Sequence, residues 1–326
     1  MTQPQLDVRV HSVHDDVSPG NGRGAVKVFD LRDVDGGALP AFAAGSHIDI
    51  MAGKDYVRQY SLLNNPGETH RYVVAVALDA QSRGGSAWLH DWVEAGDVLT
   101  ISAPRCHFNL VEDAPHSVLI AGGIGVTPLW AMAQRLMTLG RSFELHYGAR
   151  QADSAPLLKD IRPALHSAGV RLETRLVEGQ GGGLLDLPRI LAEAPGGSHI
   201  YACGPAGMLD AFIAASGSLD PGHVHFERFA GVAEVATEGG FSVELARTGR
   251  TVDVKSGQTI LDALKAAGVN ASHSCAEGIC GACETVILDG IADHRDSVLS
   301  DAEKAAGKTM MICCSGARTP RLVLDL

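Results

Sequence analysis

Three cysteines stand within nine residues in SHSCAEGICGACETV, at Cys275, Cys280 and Cys283, and Cys313 follows after 29 intervening residues. No other feature narrows the choice of fold as much. Four residues separate the first pair and two the second, which is the C-x4-C-x2-C…C spacing of a plant-type [2Fe–2S] site. Such a cluster needs four thiolates, two per iron, on a loop that wraps it. Gly278 and Gly281 supply the backbone freedom for that close approach. Structural zinc commonly uses two C-x2-C knuckles, whereas here there is one knuckle, a four-residue gap and a distant cysteine. Spacing favours Cys313 over Cys314 as the fourth ligand, and Cys314 then reads as a buried small hydrophobe. Backbone N–H groups of the loop are expected to point at the sulfurs.

Five of the seven cysteines lie between 275 and 314. Clustering of that kind indicates metal rather than disulfides in a chain whose MTQPQLDVRV start shows no secretory pattern, so a cytoplasmic setting is expected. A net charge of −11 argues against nucleic acid or an anionic membrane as a main partner. The stretch 114–134 lacks Lys, Arg, Asp and Glu but carries two prolines and three glycines. It therefore reads as strand, glycine turn and helix rather than a membrane span. At 326 residues, two or three domains are expected.

Around the cysteines, FSVELARTGRTVDVKSG (241–257) predicts two strands about a turn at Thr248–Gly249. TILDALKAAG predicts a short helix with Ile260, Leu261 and Leu264 on its apolar face and a stop at Gly268. ETVILDG and RLVLDL add strands. This order resembles the β-grasp fold of plant-type ferredoxins over 241–326.

Upstream, SVLIAGGIGVTPLWAMAQRL (117–136) reads as a strand, a glycine turn and a helix, with Pro128 expected at the first helical position. A helix N-terminus after such a turn suits a pyrophosphate, although G-x-G-x-x-G is absent. Further strands are expected at 143–149, 170–177, 198–203 and 223–229, interleaved with helices, hence a parallel α/β sheet. Ligands bind at the carboxyl ends of such strands, where Gly122, Gly123, Gly125, Thr127 and Pro128 lie, as do Cys203, Gly204, Pro205 and Met208. AGGIGVTPL with YACGP resembles the nicotinamide-binding domain of the ferredoxin–NADP reductase superfamily. That resemblance implies that Cys203 lies beside the nicotinamide.

The same resemblance implies a flavin-binding antiparallel β-barrel before the α/β sheet, marked by R-x-Y-S, here Arg58-Gln59-Tyr60-Ser61. GSHIDIM and RYVVAVAL, which contains Val76, alternate as barrel strands should. Arg58 suits a phosphate through its forked donors. Tyr60 would lie along the isoalloxazine and Ser61 near its N5. In SRGGSAWLHDWV (82–93), Gly84 and Gly85 leave a helix start for a phosphate, with Ser86 expected as N-cap. Trp88 and Trp92 are expected in the core, and His47 and His107 read as structural.

The order flavin, nicotinamide, ferredoxin, with the RGGS loop, resembles the phthalate dioxygenase reductase family. The resemblance implies an FMN barrel over 1–112 and an NAD-binding α/β domain over 113–229. A linker over 230–240 and a [2Fe–2S] ferredoxin domain over 241–326 follow. It places Phe229 against the flavin, with Ser61 and Cys203 at the reacting centre. It implies electron transfer from NADH through FMN and the cluster to a separate Rieske-type oxygenase, by a reductase that acts as a monomer. Other readings are a reductase serving a cytochrome and a stand-alone diaphorase. Arg150, after the second strand of the sheet, is the residue that would meet a 2′-phosphate; NADH is nonetheless expected. Two departures from the family pattern stand out: Cys106-His107 in place of an amide-rich turn, and Gly316 where an arginine is frequent.

Overall fold

The computed structural model describes residues 5–18, 24–53, 56–79, 84–178, 182–229, 235–273 and 275–326. They fall into two compact units, with described residues 5–229 and 235–326.

The first unit begins with an antiparallel sheet of seven strands: β1 (Gln5–Val17), β2 (Val26–Asp33), β3 (Ser46–Ala52), β4 (Tyr56–Ser61), β5 (Tyr72–Ala77), β6 (Val98–Ser102) and β7 (Arg105–Cys106). Their order is β4-β3-β6-β1-β2-β5, with β7 on β3. Leu62, just past β4, bridges Val74 of β5 and so nearly closes the sheet into a barrel. Alternation explains the two faces of β3. Ile48, Ile50 and Ala52 enter the barrel core with Val8, Leu31, Val74 and Ile101, whereas His47 and Asp49 point the other way.

Helix α1 (Gly85–Trp92) caps one end of the barrel through Leu89 and the half-buried Trp88. The expected tryptophan pair therefore divides: Trp92 is 72% exposed, because it lies on the solvent side of a helix only two turns long. Ser86 is not the N-cap either. Gly84 holds that position, at φ 109°, and Ser86 lies in the first turn, where its hydroxyl accepts from the Asp79 amide at 3.4 Å. Ser82 and Arg83 of the same motif lie outside the described residues.

The parallel sheet that follows has order β10-β9-β8-β11-β12. Its strands are β8 (Ser117–Gly122), β9 (Phe143–Ala149), β10 (Arg171–Leu176), β11 (His199–Cys203) and β12 (Val224–Glu227). Between them run α2 (Val126–Leu139), α3 (Leu158–Ser167), α4 (Leu187–Glu193) and α5 (Ala206–Ser216). The order reverses between β8 and β11, which opens the ligand crevice of such sheets at their carboxyl ends. Pro128 is the third residue of α2 rather than the first; a short 3-10 turn over Gly123–Gly125 pushes the helix start back to Val126. A proline is tolerated there because first-turn N–H groups have no intrahelical partner.

Barrel and parallel sheet share one core. Val17, Val26, Val28, Ala75 and Phe108 pack with Leu119, Met132, Leu136 and Tyr147. Gly45 permits the closest approach: a Cβ there would collide with the Phe108 carbonyl oxygen and stand 3.0 Å from Met132 Cε.

The second unit has its own core around Val243, Leu261, Leu264, Ile312 and Leu322. Its sheet, ordered β14-β13-β19-β15-β17, is built from β13 (Phe241–Leu245), β14 (Arg250–Val254), β15 (Glu284–Asp289), β17 (Thr309–Met311) and β19 (Arg321–Leu324). β16 (Ala292–Asp293) and β18 (Gly316–Ala317) form a separate pair. Helix α6 (Ile260–Ala266) starts with a Thr259–Asp262 capping box, and α7 (Asp301–Ala306) starts with a Ser300–Glu303 box. Gly268 follows α6 at φ 74°, as the stop signal required.

Residues 230–234 of the expected linker lie outside the described residues. The remainder packs on the ferredoxin unit. The Ala236 amide donates to the Cys314 carbonyl at 2.8 Å, and Ala236 is buried. This explains Gly316, since a Cβ there would stand 2.9 Å from Ala236 Cβ. Gly316→Ala is expected to destabilise the ferredoxin unit by about 1–3 kcal/mol through overpacking. Chemical denaturation checks this, and Ala236→Gly in the same chain should restore most of the loss.

Candidate functional site

The cysteine loop brings Cys275 next to Cys280, and Cys313 next to both Cys283 and Cys314. Among the described residues, no three His, Cys, Asp or Glu side chains converge as ligands of a single ion. A binuclear cluster takes two thiolates at each iron, so it calls on four of these cysteines.

Within each set, hydrogen bonding lowers the pKa of one thiol and raises that of its neighbours. The Cys280 hydrogen bond and the Ile279 and Cys280 backbone lower the Cys275 pKa against its burial. Hydrogen bonds from Cys283 and Cys314 bring Cys313 down to about 3. Cys280 and Cys283 are pushed up in turn. Backbone amides reach the sulfurs as well: Glu277 N donates to Cys275 Sγ at 3.3 Å and Ala282 N to Cys280 Sγ at 3.5 Å. The loop folds this way because Ala276, Gly278 and Gly281 all take positive φ, at 57°, 71° and 70°. At Gly278 a Cβ would come within 2.5 Å of Cys314 Sγ. Cys314 is 2% exposed and packs behind the loop.

At the crevice of the parallel sheet, two turns press together. A Cβ on Gly122 would meet Pro205 Cδ at 2.7 Å and Met208 Sδ at 2.8 Å. One on Gly125 would strike the Cys203 carbonyl oxygen and lie 2.7 Å from Gly204 N, and one on Gly204 would lie 2.5 Å from Met208 Cε. Gly123 differs: at φ 52° it faces open space. The Thr127 hydroxyl donates back to the Ile124 carbonyl at 2.9 Å and locks the turn. The structure thus sets Gly122 and Gly125 against Cys203, Gly204, Pro205 and Met208, and Gly123, Thr127 and Pro128 belong to the same turn and helix start.

Cys203 is fully buried at the end of β11, opposite Glu227 of β12. Burial first, then the Glu227 charge, pushes its thiol well above the ordinary value, so it stays protonated. Burial also raises the Glu227 carboxyl to about 8, and its Oε2 has no hydrogen-bond partner among the described residues. As a carboxylate Glu227 likewise raises the Cys106 thiol, whose pKa burial already raises. The sequence offered no signal for this trio, because the three residues come from β7, β11 and β12. Phe229 lies two residues past β12 and is 38% exposed.

On the barrel, the guanidinium of Arg58 donates to the Val57 carbonyl at 2.9 Å and lies 5.3 Å from the Tyr56 ring centre. Its stem runs along the start of α1, where a Cβ on Gly85 would come within 2.5 Å of Arg58 Cγ. A Cβ on Gly84 would meet the Tyr56 ring at 2.5 Å. A forked cation beside this helix start can take a phosphate group. Tyr60 is largely buried, and burial raises its hydroxyl pKa against the opposing pull of Arg58. Ser61 closes β4 at 8% exposure, and Val76 of β5 is fully buried in the barrel core, beneath rather than on the site.

Residues 243–318 match the family described as a 2Fe-2S iron-sulfur cluster binding domain. The chain is 50% identical over 325 residues to the phenoxybenzoate dioxygenase subunit beta of Ectopseudomonas oleovorans, spanning 100% of this chain and 98% of that protein. It is 40% identical to the carnitine monooxygenase reductase subunit of Escherichia coli (strain K12), over 92% of this chain and 94% of that one. Among solved structures, an intact type IV self-sufficient cytochrome P450 monooxygenase superposes with a TM-score of 0.87 at 38% identity. That match covers 99% of this chain but 41% of the longer P450 chain. Phthalate dioxygenase reductase superposes with a TM-score of 0.71 at 34% identity, covering 99% and 98% of the two chains. With relatives of this identity matched from end to end, the chain belongs to the phthalate dioxygenase reductase family, the flavin-, nicotinamide- and [2Fe–2S]-binding oxidoreductases that supply electrons to oxygenases.

Proposed function

We propose that this protein is the NADH-dependent reductase of a two-component oxygenase, with FMN in the barrel and a Rieske-type oxygenase as its partner. The observation that carries the reading is the end-to-end match to oxygenase reductase subunits, with Cys275, Cys280, Cys283 and Cys313 inside the segment that matches the iron-sulfur family. When bound, the flavin would convert the two-electron hydride into the single electrons such a carrier accepts. Arg58 with Gly84, Gly85 and Ser86 would hold the FMN phosphate, and Tyr60 and Ser61 its ring. Gly122, Gly123, Gly125, Thr127 and Pro128 would form the pyrophosphate turn. Cys203, Gly204, Pro205 and Met208 would flank the nicotinamide, and Phe229 would shield the flavin. The barrel, sheet and ferredoxin boundaries follow the same scheme, and we place the protein in the cytoplasm as a monomer. Among the described residues no helix is long and apolar enough to cross a membrane.

Preference for NADH rests on the far end of the crevice. The Glu178 carboxylate, just past β10, accepts from the Gln151 amide at 2.5 Å, past β9. An anion there accepts a ribose hydroxyl and repels a 2′-phosphate. Arg150 contributes only its carbonyl among the bonds described, accepting from the Glu178 amide. Glu178→Arg is expected to raise the NADPH-to-NADH ratio of kcat/KM about tenfold or more, equivalent to about 1.4 kcal/mol. Steady-state kinetics with both nucleotides checks it.

A second reading has support of its own: the P450 match has the higher TM-score, which favours a haem monooxygenase as electron acceptor. Reconstitution decides between them. The purified reductase is offered a Rieske oxygenase and a P450 in parallel, and NADH-dependent reduction of each centre is followed. Reduction of the P450 alone would refute the Rieske assignment.

A further inference from the structure

His47 is 2% exposed, and neither ring nitrogen has a hydrogen-bond partner among the described residues. A buried imidazole with both nitrogens unsatisfied is rare and requires a reason. Its place supplies one. In the β3–β4 ladder His47 stands opposite Ser61, and the Leu62 amide donates to the Ser46 carbonyl at 2.8 Å. That bond makes His47–Ser61 a narrow pair of the antiparallel ladder, about 4.5 Å between Cα atoms, with both side chains on one face. The imidazole therefore shares a face with the hydroxyl assigned to the flavin edge, with no hydrogen bond between the two in this structure.

The charged and titratable groups around it are few. Arg105 of β7 stands opposite His47 on the other side and is bound to Asp49 at 2.8 Å. The exposed His107 stacks on His47 with ring centres 5.7 Å apart. Cys106 lies next to Arg105 and opposite Ser46, within the field of Glu227. Burial first, then Arg105 and His107, holds His47 neutral. It is thus a base that does not retain a proton.

The overall reaction needs such a base. A hydride carries two electrons and one proton, and one-electron acceptors take the electrons alone. Each NADH consumed, with two acceptors reduced, therefore returns one proton to water. A serine hydroxyl can pass that proton on only if a group behind it takes the hydroxyl's own hydrogen.

We propose that His47 is a positioning residue: once side-chain rotation closes its hydrogen bond to Ser61 in the loaded enzyme, it orients the Ser61 hydroxyl and relays the proton released at the flavin edge. The relay rests on the assignment of Ser61 given above. Ser61 Oγ accepts the proton while its own hydrogen passes to a ring nitrogen of His47. The imidazolium then gives a proton to solvent on the His107 side. No electrons move in this step, and the serine ends as it began.

The test uses the full-length holoprotein with His47→Leu, His47→Gln, Ser61→Ala and the His47→Leu/Ser61→Ala double variant. Stopped-flow spectroscopy separates flavin reduction by NADH from flavin reoxidation, each in H2O and D2O, and thermal melting reports the fold. The flavin absorption band reports the hydroxyl's orientation independently of turnover. His47→Leu is expected to slow reoxidation about a hundredfold. It should also abolish the solvent isotope effect on that limb, shift the flavin band as Ser61→Ala does, and change reduction by less than about twofold. The double variant should resemble Ser61→Ala alone. If His47→Leu fails to fold, His47→Gln decides: it should keep the band position and lose the isotope effect. Reoxidation and isotope effect unchanged in both His47 variants, or additive losses in the double variant, would overturn the relay while leaving Ser61 at the flavin. Ser61→Ala with unaltered band and rates would overturn the relay and the flavin-edge assignment together.

Discussion

Cys283→Ser should leave NADH oxidation with ferricyanide nearly intact and abolish electron delivery to a one-electron protein acceptor. Cys283 is 3% exposed and pairs with Cys313, so its loss leaves one iron with a single thiolate in a closed pocket. Changes to groups that merely support a metal ligand cost about 10–100-fold, and removal of a ligand should exceed about 100-fold. The flavin and nicotinamide residues all lie in the other unit, with its separate core, so their half of the reaction should persist. Three readings check this: iron and sulfide content, the long-wavelength absorption, and cytochrome c reduction compared with ferricyanide reduction. Cys314→Ser is the control. It sits behind the loop, so cluster content should be kept. A variant in which Cys314→Ser loses the cluster and Cys313→Ser keeps it would reverse the ligand assignment.

Gly125→Ala is expected to lower kcat/KM for NADH about a hundredfold with flavin content unchanged. A new methyl group would collide with the Cys203 carbonyl and with Gly204 N, which are backbone atoms and cannot rotate away. The turn carrying Cys203, Gly204 and Pro205 must then move, and a displacement of about 1 Å at a reacting centre can cost about 100-fold. Gly123→Ala makes the contrast. Its methyl would face open space, so only the left-handed backbone penalty of about 1–2 kcal/mol applies. Melting temperature and NADH kinetics on the two variants distinguish collision from conformational cost. Equal kinetic losses would mean that the turn is not clamped against Cys203.

The local part of this site was legible in the amino-acid sequence, because its signals are local. The C-x4-C-x2-C spacing, the glycines of 122–125 and Arg58-x-Tyr60-Ser61 each act within one loop or strand. What was missed depends on partners distant along the chain. His47 reads as an ordinary strand residue until the ladder sets it against Ser61. The raised pKa of Glu227 comes from burial opposite Cys203 of β11, which no periodicity reports. The expected Ser86 cap followed cap preference, but Gly84 could take φ 109°, so the helix began two residues earlier. Trp92 followed the apolar pattern and still reached solvent, because two helical turns against a barrel end cover only one side. Gly316, a departure from family habit, proved to be steric accommodation of Ala236.

The single core that unites barrel and parallel sheet bears on how such reductases can be recombined. A cut near residue 112 would strip Val26, Val28 and Ala75 of the side chains that cover them, leaving two sticky fragments in place of two working modules. Barrel and parallel sheet should therefore be transferred as one cassette. The ferredoxin, closed around its own core, is the part that gene fusion can append, relocate or exchange, and hybrid reductases should be joined after Phe229.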